Sequence, residues 1–245
     1  MYRPGKVLKS GTSFDPDFAA VASAATTYVL DMTQPAPLWQ QTPAMAFPRT
    51  YHNLTVLPDG TVLATGGGQT TGAIDLADAV YAAELWSPTT QTWTTLSNGQ
   101  VPRLYHSVAL LLPDGRVLVG AGGRFFGQVD PTDQYSGELY SPPYLFKGPR
   151  PAVTSAPTTA NYGGTIAVQT PDAARIASVA LIKLGAVTHA FNMDQRYVPL
   201  SFTIGSGSLS VQAPANANLA PPGYYMLFLV DTNGVPSVAP ILRLQ

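Results

Sequence analysis

Tyr105 and His106 stand side by side in "RLYHSVALLLPDGRVLVGAGG", residues 103–123. An adjacent phenol and imidazole can bind a metal. Neutral imidazole suits several transition metals, and a phenol with a free pKa of about 10 ionises at neutral pH beside a bound cation. Adjacent residues of a regular strand point to opposite faces, so both can reach one ion only where the backbone is irregular. Pro102, just upstream, makes the start of the strand the place for that. The pair has a second copy, Tyr51-His52, and the third histidine of the chain is His189. Taken alone, each histidine reads more readily as a structural hydrogen-bonding residue than as a ligand.

Other chemistries are thinly supplied. The chain has no cysteine, which removes disulfides, zinc–thiolate sites and thiol nucleophiles. Asp59 and Asp114 belong to Pro-Asp-Gly tripeptides and read as turn formers rather than as an acid–base pair. Asp194 and Arg196 lie near His189 in "VTHAFNMDQR". They read either as groups that orient the His189 loop from behind or as a surface ion pair of little energetic weight. The double-glycine runs are not phosphate loops, because neither a helix nor Lys-Ser/Thr follows them.

The elements that must position these residues show in a repeat. "GTVLATGGG" (60–68) overlays "GRVLVGAGG" (115–123), and "GKVLKSGTS" (5–13) fits more loosely. The leading glycines Gly5, Gly60 and Gly115 are 55 residues apart at each step. Upstream, "PRTYHNLTVLPDG" matches "PRLYHSVALLLPDG" with one extra residue in the second copy, and Trp39 and Trp93 mark equivalent downstream hairpins. Each unit reads as strand, Pro-Asp-Gly turn, strand, glycine cluster, then a tryptophan hairpin. Four short strands in about 50 residues make a propeller blade, and the double glycine resembles the kelch repeat. Propellers close with about 4–8 blades. About three are expected here, the first beginning mid-blade, so the ring should be completed by upstream blades or by another chain.

Composition shifts at "SPPYLFKGPRPAVTSAP" (141–157). Beyond it, short alternating segments recur every 8–12 residues and a specific Asn233-Gly234 turn appears; this is the spacing of an immunoglobulin-like sandwich of about seven strands. The expected division is 1–147, partial kelch propeller, and 148–245, sandwich. The fold class is all-β, since no segment has helical periodicity. The net charge of −1 supplies no basic field for nucleic acid. "MYRPGKVLKS" has no apolar core of a secretory signal, and runs such as "YYMLFLV" (224–230) are too short to cross a bilayer.

Four stretches carry a family resemblance: "RTYHNLTVLPDGTVLATGG", "RLYHSVALLLPDGRVLVGAGG", "THAFNMDQRYVPLSF" and "PPGYYMLFLVDTNGVPSVAPILRL". In them the chain resembles the C-terminal half of the copper-radical oxidases, the galactose oxidase and glyoxal oxidase group. The resemblance implies kelch blades followed by an immunoglobulin-like early-set domain, and secretion or cell-surface display. It implies copper held by Tyr105, His106 and His189. Tyr105 would be the axial ligand and catalytic proton acceptor. His106 and His189 would be equatorial, the latter on a hairpin of the second domain reaching into the propeller channel. The family's oxidant, a tyrosine thioether-linked to cysteine, has no counterpart here. The loop "SGTSFDPDFAA" (10–20) aligns with a substrate loop, without transferring a role to Phe14 or Asp15.

Two functions follow. One is a copper oxidase of a small alcohol, aldehyde or carbohydrate, reducing O2 to H2O2, inactive until the missing blades supply the radical cofactor. The other is a non-catalytic scaffold or carbohydrate-binding module.

Overall fold

The two Pro-Asp-Gly turns fold through local chemistry. Asp59 Oδ1 accepts the Thr61 amide at 3.0 Å and Asp114 Oδ1 accepts the Arg116 amide at 3.0 Å. Gly60 and Gly115 take φ of +81° and +78°, where a Cβ is disfavoured. In the computed structural model, which describes residues 1–12, 21–71, 75–123 and 132–245, these turns join β4 (Asn53–Val56) to β5 (Val62–Thr65) and β8 (Val108–Leu111) to β9 (Val117–Gly120).

Three antiparallel sheets follow the repeat. The first has the order β1 (Lys6–Thr12), β2 (Ala24–Asp31), β3 (Trp39–Thr42). The second is β4, β5, β6 (Ala82–Trp86), β7 (Trp93–Asn98), and the third is β8, β9, β10 (Gly137–Tyr140). The order β1-β2-β3 parallels β5-β6-β7, and among the described residues the first sheet holds no counterpart of β4. Trp93 begins the outer strand of its sheet as Trp39 does, and its Nε1 donates to Thr27 Oγ1 of the neighbouring sheet at 2.9 Å.

The arginine of each "PR-x-YH" segment fastens one sheet internally. Arg49, fully buried, donates to Gly66 O at 2.9 Å, Ala82 O at 2.8 Å and Glu84 Oε2 at 2.5 Å. Arg103 repeats this with Ala121 O at 3.1 Å, Ser136 O at 2.8 Å and Glu138 Oε2 at 3.1 Å. In each case one guanidinium satisfies carbonyls that follow the second strand and groups on the third.

The C-terminal region is a sandwich with two short additions. One sheet has the order β11 (Thr159–Ala160), β20 (Ile241–Leu244), β19 (Gly223–Asp231), β13 (Ile176–Lys183), β16 (Tyr197–Leu200). The other is β12 (Thr165–Gln169), β18 (Ser208–Gln212), β17 (Phe202–Gly205). The stretch "YVPLSFTIG" (197–205) breaks at Ser201 and gives one strand to each sheet. The expected turn at Asn233-Gly234 is present, with Asp231 Oδ1 accepting the Asn233 and Val235 amides at 3.0 and 2.8 Å. Among the described residues no helix is long and apolar enough to cross a membrane.

β13 and β19 are buried on both faces, which explains their unbroken apolar runs. Val179, Leu181, Tyr225, Leu227 and Leu229 pack against Ile166, Val168, Leu209 and Val211 inside the sandwich. The alternate residues Ala180, Ile182, Met226 and Phe228 share a second core with Val56, Leu57 and Leu111 of the first region. Ala239 N donates to Pro113 O at 2.9 Å, and Tyr144, buried at the joint, donates to Gly115 O at 2.5 Å. Removing one partner of a buried ion pair strands the other charge. Glu84→Gln is therefore expected to cost about 3 kcal/mol or more, read as a lower urea midpoint with an unchanged slope.

Candidate metal centre

Between β13 and β16 the chain leaves the sandwich as a small hairpin, β14 (Val187–Thr188) and β15 (Phe191–Asn192), that joins neither sandwich sheet. Its two-residue turn is His189-Ala190, with φ of +53° and +60°. Two positive φ values are what a type I′ hairpin turn demands, and Asn-Gly is the usual filling. A histidine and an alanine there are held against their own preference by about 1 kcal/mol each. Strain of this kind concentrates at functional sites.

Tyr105 and His106 lie just before β8, where the backbone is irregular as the chemistry required: His106 has φ +62°. Five residues before the end of β4 the same left-handed position is filled by Tyr51, φ +59°. The one extra residue between Arg103 and β8 has moved the Tyr-His pair by one place. Ser107, 1% exposed, therefore sits where His52, 8% exposed, sits in the previous unit. His52 points between the first two sheets, with Nε2 3.0 Å from Ser10 Oγ. His106 instead takes the turn position and faces the hairpin. The glycine clusters allow the close approach: a Cβ on Gly66 would lie 2.4 Å from Arg103 O.

The Nε2 atoms of His106 and His189 are 3.0 Å apart. His106 Nδ1 faces Gly123 O at 3.2 Å. A carbonyl only accepts, so Nδ1 carries a proton and Nε2 is the nitrogen of the neutral ring left to bind a metal, facing His189. His189 Nδ1 lies 2.7 Å from Thr188 Oγ1, a hydroxyl that serves either tautomer. Two donors at right angles, each about 2.0–2.1 Å from one ion as imidazole is from zinc, stand about 2.9 Å apart. The separation therefore suits a shared metal, and both rings are oriented from behind, as metal-binding histidines usually are. The Tyr105 ring centroid is 3.9 Å from that of His106 and 5.5 Å from that of His189, with Tyr51 at 5.3 Å.

Neither Asp194 nor Arg196 hydrogen-bonds to His189. Asp194 pairs with Lys183 at 3.2 Å, and Arg196 Nε is buried without a partner. The residue between them, Gln195, is bonded instead to Val56 and to Asn192 of the hairpin. Sequence reasoning passed over both, because an amide carries no signal until its partners are known. Phe14 and Asp15 lie outside the described residues.

Two family models cover the chain: Glyoxal oxidase N-terminus over residues 12–144, and Galactose oxidase-like, Early set domain over 150–244. The chain belongs to the galactose oxidase and glyoxal oxidase family. Among relatives of this family, it is 34% identical over 249 residues to a galactose oxidase of Gibberella zeae, covering 98% of the chain and 36% of that protein. It is 34% identical over 229 residues to the aldehyde oxidase GLOX of Vitis pseudoreticulata, covering 84% of the chain and 43% of that protein. A solved structure of a fungal alcohol oxidase of the AA5 family, in complex with copper, superposes with a TM-score of 0.91 at 30% identity. That alignment covers 100% of this chain and 53% of the neighbour. The chain thus spans well under half the length of these two curated relatives.

Ala190→Gly is expected to relieve the turn and slow exchange of the Met193 amide, which is bonded to Ala186 O, by up to about fivefold. Burial, with Arg49 nearby, pushes the His52 imidazole down from 6.5 to about 3. Between those values the unfolded chain takes up a proton that the folded one refuses. His52 therefore contributes stability above pH 6.5 that is progressively lost as the pH falls towards about 3. Thermal melts should show His52→Gln with a shallower acid dependence than the parent protein.

Proposed function

We propose that this chain supplies the copper-binding portion of an oxidase acting on a small primary alcohol, an aldehyde or a carbohydrate. The observation that carries the reading is the 3.0 Å approach of two Nε2 atoms contributed by separate parts of the fold. His106 and His189 would hold the metal, with Tyr105 as third ligand. Imidazole nitrogens and a phenolate are a donor set suited to copper(II). Copper, when bound, would take one of the two electrons the substrate gives up, the radical tyrosine supplied from outside this chain would take the other, and O2 would carry both away as H2O2.

The chain's own residues would do the rest. Gly123 O and Thr188 Oγ1 fix the two ring orientations from behind. The Tyr105 phenolate oxygen would take the proton of the substrate hydroxyl; its ring is already packed against both imidazoles. With no cysteine among the 245 residues, a thioether-linked tyrosine has to come from outside them, together with the remaining blades. By itself the chain would then bind copper without turning over. Secretion or cell-surface display is the setting this reading favours.

Calorimetric titration with Cu(II) is expected to give about one ion per chain. His106→Ala and His189→Ala should each weaken binding by more than the ~10–100-fold that loss of an outer partner costs. Absence of binding to the parent protein would favour the scaffold function. Sustained H2O2 production from galactose or glyoxal by this chain alone would overturn the placement of the radical cofactor outside it.

A further inference from the structure

The hairpin that carries His189 has little to hold it. Its strands are two residues each, far below what a hairpin needs for stability in water. Its larger apolar side chains are mostly in solvent: Phe191 and Met193 are 65% and 60% exposed, and no residue from Lys183 to Asp194 is buried. The first buried residue on the way back to the sandwich is Gln195, 5% exposed.

Gln195 is bonded across the fold. Its Oε1 accepts the Val56 amide at 2.8 Å, and its Nε2 donates to Val56 O at 3.2 Å. Val56 ends β4, whose other edge is paired with β5. The carboxamide thus stands in for one residue of a neighbouring strand and satisfies both backbone groups of an edge position. The link continues to the hairpin. Asn192 Nδ2 donates to Gln195 Oε1 at 3.2 Å, and Asn192 Oδ1 accepts the Gln195 amide at 3.1 Å and the Ala186 amide at 3.3 Å. Asn192 is paired with Val187 in the hairpin ladder, one step from the His189 turn.

We propose that Gln195, acting through Asn192, is the positioning residue that sets the separation of His189 from His106. This rests on the metal-site reading above. The latch ties the hairpin to the inner strand of one sheet, while His106 precedes the inner strand of the next. The two inner strands are themselves joined, Asn53 Nδ2 donating to Ser107 O at 3.2 Å and to Ser107 Oγ at 3.1 Å. Hydrogen bonds at the two ends of β4, at Val56 and at Asn53, therefore join one imidazole mount to the other through the backbone of that strand.

The test uses the full chain with two variants, Gln195→Met, which keeps the volume and loses both bonds to Val56, and Gln195→Glu, which keeps the acceptor but opposes Val56 O. In both, the Met193 and Gln195 amides should exchange faster by more than any fall in global stability, read from the unfolding midpoint, accounts for. Cu(II) affinity should fall about tenfold or more, and the electron paramagnetic resonance spectrum should lose the coupling of one nitrogen. Exchange that is unchanged in both variants overturns the proposal, as does unchanged copper affinity and spectrum in a variant whose hairpin has loosened. If the parent protein binds no Cu(II), the metal reading fails; the exchange measurement alone then upholds or overturns the latch.

Discussion

A sheet buried on both faces is the constraint on which the rest of this molecule leans. β13 and β19 alternate between two cores, one within the sandwich and one shared with the turn ends of the first region. Each face contributes to holding its neighbours, but the second face does something the sandwich alone does not need. It fixes the sandwich against the inner strands of the repeat units, so that a hairpin of only a few residues reaches from one part of the fold to the other. Without that apolar contact a separation as short as 3.0 Å between His106 and His189 would have no reason to persist.

Within that frame, small departures from the repeat create the site. The second copy of "PR-x-YH" carries one more residue before its strand, and both arginines keep the same kind of partners. The arginine and the Pro-Asp-Gly turn act as fixed points, so the surplus residue has to be absorbed between them. It is absorbed by a left-handed residue at His106 rather than at Tyr51's partner in sequence. One histidine is thereby locked, neutral, between two sheets, and the other is turned into the open.

Left-handed non-glycine residues mark the same region from the other side. His106, His189 and Ala190 all have positive φ, and Ala121 follows the strand next to β8. Conformations of this kind last only where surrounding contacts over-determine them. Here those contacts are the Gly123 carbonyl, the Thr188 hydroxyl and the Gln195–Asn192 amides.

Much of the fold was legible from residues alone. Pro-Asp-Gly closes its hairpin through its own carboxylate and glycine, the 55-residue step recurs as successive sheets, and alternation places the sandwich strands, because each of these depends on neighbours close in sequence. Tyr105, His106 and His189 were legible as candidates by residue type and by likeness to a family. What residues alone left open was decided by packing between residues far apart: how the surplus residue turns His106 towards the hairpin, that residues 197–205 divide between two sheets, and that Gln195 is bonded across the fold to Val56. The reason is physical. A turn stores its instructions in a few consecutive side chains, whereas the meeting of two imidazoles 83 residues apart depends on a shared core and a one-residue shift of phase that no local pattern contains.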